Sequence, residues 1–259
     1  MDGATPQTAA HPRRQLIGIG VGPGDPELVT LKAVRALEDA DVILVPATEA
    51  SRGNAGRAEQ IVLACCPQTA PAIRRIPFTM ADRSGVTDRR REAWETSAQA
   101  ALDAYAEGAS TVVFATVGDP NVYSTFSYLA EHVIAAQPDV QVQVVPGITA
   151  MQALAASAGT PLVEGTEVLA LVPITAGAEK YRQALEFADT VVAYKGGRQL
   201  PQMLRHLTDT GRTAHTVIGE NIGLDREKIT PVSELTENTV PYFSTALTTP
   251  TRTEIGGRL

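Results

Sequence analysis

Gly118-Asp119-Pro120-Asn121-Val122-Tyr123-Ser124-Thr125-Phe126 is the stretch whose reading decides the fold of this chain. It follows the apolar run 111–117, which reads as a buried strand, and it precedes residues 123–136, which have helical spacing. A Gly-Asp-Pro turn at the end of a buried strand sets backbone donors and a carboxylate in the crevice where open α/β sheets take ligands. Gly118 lets a ligand approach the backbone, and Pro120 is expected to set up the first turn of the next helix.

The same alternation extends in both directions. Upstream, 16–21 is a strand, a helix is expected from Pro26 with Asp25 as its N-cap, and Leu28, Leu31, Val34 and Leu37 form its apolar stripe. Residues 42–45 and 73–78 read as strands, and 57–65 and 88–107 as helices. Downstream come a strand at 140–145 and an alanine-rich helix at 148–158. Strands at 168–174, 190–194 and 213–218 then alternate with helices at 179–187 and 199–207, and 228–230 and 242–247 close the chain as strands. The expected fold class is α/β, in two α/β domains with a mostly parallel sheet in the first. The expected division is a disordered lead-in at 1–15, an N-terminal domain at 16–149 and a C-terminal domain at 150–259.

Composition bounds the function. With 259 residues, 44% of them hydrophobic and 20% charged, the chain can bury sizeable cores and is not disordered overall. A net charge of −7 without a long basic run argues against a nucleic-acid partner. A polycarboxylate ligand would need a local basic patch that the total does not reveal. Cys65 and Cys66 are adjacent, which is poor geometry for a bridge, and no zinc pattern can be assembled. His11, His132, His206 and His215 share no spacing, so no metal is assigned. No apolar run has the length of a membrane span and no signal-peptide core opens the chain, so a cytoplasmic setting is expected.

Glycines 18, 20, 22 and 24 invite two common readings. A dinucleotide fingerprint fails on spacing, because its third glycine falls on Pro23 or Asp25. The first loop of Rossmann-type methyltransferases is interrupted here by Pro23 and Pro26, and strand two ends on Pro46-Ala47-Thr48 rather than on an acid. A different resemblance covers more of the chain. Gly20-Val-Gly-Pro-Gly-Asp-Pro-Glu-Leu-Val-Thr30 resembles the opening signature of the tetrapyrrole (corrin and porphyrin) methyltransferases. Gly118-Asp119-Pro120 with Tyr123 resembles their second signature, Val145-Pro-Gly-Ile-Thr-Ala150 the third, Val192-Ala-Tyr-Lys-Gly196 the fourth and Ile218-Gly-Glu-Asn-Ile222 the fifth. Five signatures in family order over 16–247 leave chance a poor explanation. Within the family, Ser124-Thr-Phe-Ser-Tyr-Leu129 and Pro241-Tyr-Phe-Ser-Thr245 most resemble the precorrin-2 C(20)-methyltransferases of cobalamin synthesis.

The resemblance implies two α/β domains of a non-Rossmann type, with S-adenosylmethionine in the cleft between them and a tetrapyrrole as methyl acceptor. It implies a homodimer as well. Carried over by position, Pro23, Val117, Gly118, Asp119, Val122, Thr149, Ala150, Lys195 and Ile222 line the cofactor pocket. Asp119 can accept from amino or ribose groups, and Thr149 at a helix start can serve a polar ligand or cap the helix. Asp25 is the acid on the substrate side, with N-capping as its other role; the proton acceptor is Asp25, a substrate carboxylate or water. Position 195 is commonly Met in the family, so the Lys195 ammonium is expected to turn from the sulfonium towards a substrate carboxylate. Gly56-Arg-Ala-Glu-Gln-Ile61 lacks the serine usual at its first position. Arg52, Arg57, Arg74 and Arg75 are candidates for pairing substrate carboxylates, and 89–91 reads as a solvated helix face. Trp94, Tyr105, Phe126 and Tyr128 read as packing residues. The implied reaction is methylation of precorrin-2 or its cobalt counterpart at C(20). The alternatives are a sister enzyme acting on uroporphyrinogen III or another ring carbon, and a non-catalytic module binding S-adenosylmethionine or a nucleotide.

Overall fold

The computed structural model describes residues 13–47, 54–77, 87–195, 199–236, 239–241 and 243–254. Most of the expected lead-in, together with Arg52 and Tyr242, lies outside them. Two five-stranded sheets organise the chain. The first has the order β3-β2-β4-β1-β5, where β1 is Gln15–Gly20, β2 Val42–Ala47, β3 Ile73–Pro77, β4 Thr111–Thr116 and β5 Gln141–Val145. Every pairing in it is parallel, so all five carboxyl ends share one edge. The alternate sides of these strands feed two cores, as the period of a strand requires. Leu16, Leu44, Val112 and Phe114 face the helices α3 (Asp88–Ala106) and α4 (Phe126–Ala136). Ile17, Ile43, Val45 and Val113 face α1 (Leu31–Glu38) and α2 (Arg57–Cys65).

The second sheet is mixed, in the order β6-β7-β10-β8-β9. Its strands are β6 Leu169–Pro173, β7 Thr190–Tyr194, β8 Thr216–Glu220, β9 Lys228–Pro231 and β10 Ser244–Thr248. Only β6 and β7 pair in parallel. The helices α6 (Ala178–Phe187) and α7 (Leu200–Asp209) cover one face through Tyr181, Leu185, Met203 and Leu207. The other face takes α5 (Ala150–Ser157), whose Leu154 meets Val192, Ile222 and Leu247. The chain therefore passes from the first sheet to the second lobe's core at the turn 146–149.

Four local expectations are corrected. Pro26 opens only a 3₁₀ turn, Pro26–Leu28; Val29 is extended and Thr30 restarts the chain as the N-cap of α1, its hydroxyl accepting from Ala33 N–H at 3.2 Å. The buried stripe of α1 consequently runs through Ala33 and Leu37, while Leu31 is 73% exposed. Secondly, α4 begins at Phe126, because Tyr123 takes a left-handed φ of 51° that no helix admits. Pro120 accordingly sits in a turn closed by Val122 N–H on the Asp119 carbonyl, well before the helix. Thirdly, 213–215 form a 3₁₀ turn and the strand starts at Thr216. Fourthly, Gln15, assigned to the lead-in, already pairs with Thr111 and Gln141.

The chain's last described segment is tied to the start of β6 by a buried ion pair. Arg252 donates to Glu167 from Nη2 at 2.6 Å and from Nε at 3.2 Å, and the Glu167 side chain is wholly buried. Arg252 holds the Glu167 carboxyl below the usual glutamate range. A depressed carboxyl pKa means stability that is present above the unfolded pKa and lost as pH falls through the folded one. Glu167→Gln is expected to cost about 2 kcal/mol at neutral pH, a charge-assisted bond's worth, and to flatten the acid limb of a melting-temperature profile. An unchanged acid limb would show that Glu167 does not govern it.

Candidate functional site

The strand order places a switch point between β1 and β4. From β1 the chain leaves towards β2, and from β4 it leaves the other way towards β5. A crevice opens at the carboxyl ends of such neighbours. Two loops meet there, 21–30 and 117–125, joined by a bridge in which Gly118 N–H donates to the Gly22 carbonyl at 2.7 Å. The close approach has a steric basis. A Cβ on Gly20 would lie 2.3 Å from the Gly118 carbonyl oxygen and 2.6 Å from the Gly147 Cα, so the ends of β1 and the turns after β4 and β5 touch backbone to backbone.

Asp119 holds this junction together. It is 8% exposed; Oδ1 accepts from Asn121 N–H at 2.7 Å and Oδ2 from Gly147 N–H at 2.9 Å. Its carboxylate thus orders its own loop and fastens the β4 and β5 turns to each other. Thr149 caps α5 in a reciprocal box with Gln152, whose Oε1 accepts from both the Thr149 N–H (2.8 Å) and the Thr149 hydroxyl. Asp25 caps the 3₁₀ turn, Oδ1 accepting from Glu27 N–H at 2.8 Å.

The second lobe presents its own strand ends to this crevice. Strands β7 and β8 both run antiparallel to β10, which lies between them, so Lys195 and Asn221–Ile222 leave the same edge of the sheet. Lys195 and Asn221 both have left-handed backbones, with φ of 62° and 52°. Contact between the lobes is direct. A Cβ on Gly24 would lie 2.6 Å from the Ile222 carbonyl oxygen, and one on Gly223 would lie 2.6 Å from the Asp25 nitrogen. Arg57 reaches across from α2, donating to Asn221 Oδ1 at 2.6 Å and stacking on Phe243 at 4.2 Å from the ring centroid. Burial works against the Arg57 charge. Tyr194 accepts Met151 N–H at 3.0 Å, and Tyr123 donates to the Leu171 carbonyl at 3.3 Å.

Pro23, Gly118, Asp119, Thr149 and Ile222 are buried around this junction, and Val117, Val122, Ala150 and Lys195 are half-buried beside it. The 118 and 149 corners adjoin, a Cβ on Gly118 lying 4.0 Å from the Thr149 Cα. Of the basic residues, Arg74 pairs with Glu107 at the surface, and Arg75 makes a two-pronged bond to buried Glu59 at 2.7 and 2.8 Å. Arg91 does pair with Asp88 in solvent, but Arg90 is half-buried and lies over Trp94, so the basic run is not uniformly a solvated face. Tyr105 and Phe126 are core residues, whereas Trp94 and Tyr128 stack on each other at 4.1 Å and Tyr128 is 39% exposed. Among the described residues no group of His, Cys, Asp and Glu could hold a metal ion. Cys66 is buried and its thiol is pushed up to about 12 by that burial, so it is no nucleophile near neutrality.

Tyr123, Tyr194 and Asn221 enter the sequence reading only as letters of their signatures, and the structure gives them contacts: Tyr123 meets Tyr194 edge-on at 5.9 Å and Asn221 takes the Arg57 guanidinium. Tyr123 stands inside the second signature, which was signal enough to name it, but its left-handed backbone was not visible.

Glycines 20, 118 and 147 meet backbone to backbone at the strand ends, Val117 and Val122 are half-buried beside them, and Ile222 packs in the second lobe's core.

Comparison with known proteins agrees with this geometry. Residues 15–237 match the family described as Tetrapyrrole (Corrin/Porphyrin) Methylases. The chain is 32% identical over 233 residues to a precorrin-2 C(20)-methyltransferase of Sinorhizobium sp, covering 90% of this chain and 94% of that one. It is 28% identical to a cobalt-precorrin-2 C(20)-methyltransferase of Salmonella typhimurium, with 90% and 95% covered. Among solved structures, the fold is similar to the cobalt precorrin-4 methyltransferase CbiF, with a TM-score of 0.68 at 21% identity over 95% of this chain and 98% of that one. It is also similar to a uroporphyrin-III C-methyl transferase of Thermus thermophilus complexed with S-adenyl homocysteine, with a TM-score of 0.63 at 24% identity over 91% and 97%. The crevice between two lobes, built from the signature segments themselves, and a match over most of the length lead to one conclusion: this chain belongs to the tetrapyrrole methylases.

Proposed function

We propose that the protein transfers a methyl group from S-adenosylmethionine to C(20) of precorrin-2 or its cobalt counterpart, in cobalamin biosynthesis. The observation that supports this most is the meeting of Gly118–Val122, Thr149–Ala150, Pro23 and Ile222 in one crevice, together with the relatives named for that reaction. In this reading the same residues hold the methyl donor, which supplies an electrophilic carbon on sulfonium. Val117, Val122 and Ile222 exclude water from that centre, and the loop donors set its orientation. Asp119 acts on the donor through the two loops it fastens. Asp25, with one oxygen engaged by Glu27, is the proposed acceptor of the C(20) proton.

No nucleophilic side chain is needed, because the attacking carbon belongs to the electron-rich macrocycle. Catalysis is then chiefly alignment and desolvation, with effective molarities on the order of 10⁵ M in well-oriented systems. The reading includes a homodimer acting in the cytoplasm; among the described residues no helix is long and apolar enough to cross a membrane.

The test is incubation with S-adenosylmethionine and with metal-free or cobalt-loaded precorrin-2. The expected product is heavier by one methylene unit, with a labelled methyl mapped by NMR to C(20). A methyl on another carbon would move the chain to a sister activity. Binding of S-adenosylhomocysteine with no turnover on any reduced tetrapyrrole would leave a binding module. Sedimentation of the purified protein checks the dimer.

A further inference from the structure

A half-buried cation joins a corner of each lobe, and among the described residues no carboxylate pairs with it. Arg57 is the first residue of α2. A Cβ on the preceding Gly56 would lie 2.8 Å from the Pro46 carbonyl oxygen, so the start of α2 rests against the end of β2. From there the guanidinium crosses to the second lobe. Strands β8 and β10 pair antiparallel there with Glu220 opposite Ser244, which sets Asn221 and Phe243 side by side where the two strands end. Arg57 Nη2 donates to Asn221 Oδ1 at 2.6 Å, and the guanidinium carbon lies 4.2 Å from the Phe243 ring centroid. One side chain of the first lobe thus caps a corner made by two strands of the second.

Keeping a cation there without an anion costs desolvation, and burial holds the Arg57 guanidinium below the usual arginine range. The hydrogen bond to Asn221 and the ring face offset that cost. Asn221 has a left-handed φ of 52°, and the two residues after it meet the first lobe by backbone. A Cβ on Gly24 would lie 2.6 Å from the Ile222 carbonyl oxygen, and one on Gly223 would lie 2.6 Å from the Asp25 nitrogen. A shift of Asn221 therefore carries those contacts with it. We infer that Arg57 is a positioning residue for the methyl donor: its grip on Asn221 fixes the 221–223 loop against residues 24–25 and so sets the second lobe's side of the donor pocket. This assignment rests on the proposed reaction, in which Ile222 lines that pocket. It gives Arg57 a task on the donor rather than on a substrate carboxylate.

The test titrates S-adenosylhomocysteine by calorimetry and measures KM separately for S-adenosylmethionine and precorrin-2. Arg57→Met should weaken S-adenosylhomocysteine about tenfold, as the loss of one charge-assisted hydrogen bond would, and raise the S-adenosylmethionine KM similarly. The precorrin-2 KM should stay within about twofold. Asn221→Gly removes the acceptor while keeping the left-handed backbone accessible, so it should match Arg57→Met, and the double variant should be no worse than either single. Arg57→Lys keeps a donor but loses the flat face on Phe243, and should recover part of the loss. A raised precorrin-2 KM with unchanged donor values would assign Arg57 to the acceptor's carboxylates and overturn the inference. Donor losses that add in the double variant, or that come with equal losses for precorrin-2, would also overturn it, since both mark a contact that only stabilises the fold. In each of these cases an unaltered protein that methylates precorrin-2 leaves the proposed reaction standing. An unaltered protein that neither binds S-adenosylhomocysteine nor methylates precorrin-2 would overturn the reaction and the positioning role together.

Discussion

Gly20→Ala is expected to destabilise the protein by about 3 kcal/mol and to abolish binding of S-adenosylhomocysteine, although the change adds one methyl group. The added Cβ would stand 2.3 Å from the Gly118 carbonyl oxygen and 2.6–2.7 Å from Gly147 backbone atoms. Neither obstacle is a side chain that could rotate away. Relief requires the turn after β4 or the turn after β5 to back off, and both turns line the crevice. For a chain of this size, 3 kcal/mol corresponds to a fall in melting temperature of roughly 6–12 °C. Gly211→Ala is the control: φ there is +67° and a Cβ would meet nothing within 4 Å, so only backbone strain of about 1–2 kcal/mol is incurred. Equal melting temperatures for the two variants, or retained cofactor affinity in Gly20→Ala, would show that the strand ends are packed more loosely than these contacts require.

The glycine pattern also marks how far the sequence could be read. Where an apolar run is long enough to set its own period the reading succeeds, and Thr149 caps α5 as a residue at a helix start can; where a turn breaks the period, as at Pro26 and Tyr123, it does not. The parallel first sheet follows from regular alternation. Placement of β10 between β7 and β8 is a different matter, because it depends on pairing across long separations that no local period records. The arginines divide along the same line. Arg75 is claimed by Glu59, sixteen residues away on another element, and Arg57 by Asn221 in the other lobe. Charge alone does not reveal which of two carboxylates, one in the protein and one in a ligand, a guanidinium meets. The left-handed backbones at Tyr123 and Lys195 were equally hidden, since turn chemistry anticipates glycine or asparagine there, and only Asn221 of the three carries that signal. All three lie in or beside the signature segments.

Gly56 supplies a physical reason for one departure from the family pattern. A Cβ at this position would stand 2.8 Å from the Pro46 carbonyl oxygen, so the residue that begins α2 here has no room for a serine side chain. Arg57, the next residue, is thereby brought over the end of β2 and across to Asn221. In this chain the link between the lobes at α2 is the Arg57 guanidinium of the first lobe on Asn221 of the second.

Asp119→Ala is expected to weaken S-adenosylhomocysteine binding by roughly 30-fold, about 2 kcal/mol, whereas Asp25→Ala should change it by no more than about threefold. Both residues are acids beside the crevice, and both accept backbone N–H groups, so their difference lies in what those bonds join. Asp25 bonds to Glu27, two residues away, and closes a turn that the chain can also close through the Leu28 N–H on its carbonyl. Asp119 bonds to Asn121 and to Gly147, the latter 28 residues away and one of the three glycines at the strand ends. Removing it leaves the Asn121 and Gly147 N–H groups without their acceptor, at about 1–3 kcal/mol for the half-buried Gly147 and less for exposed Asn121, and unfastens the turn that carries Thr149 and Ala150. Asp119→Asn sharpens the test. An amide keeps one acceptor oxygen but turns an N–H donor onto the other backbone N–H, so it should behave nearly as badly as alanine despite its similar shape. Near-parent binding by Asp119→Asn, or equal losses in Asp119→Ala and Asp25→Ala by calorimetry, would sink this division of roles and would place the carboxylate charge of Asp119, rather than its hold on two turns, at no advantage over Asp25.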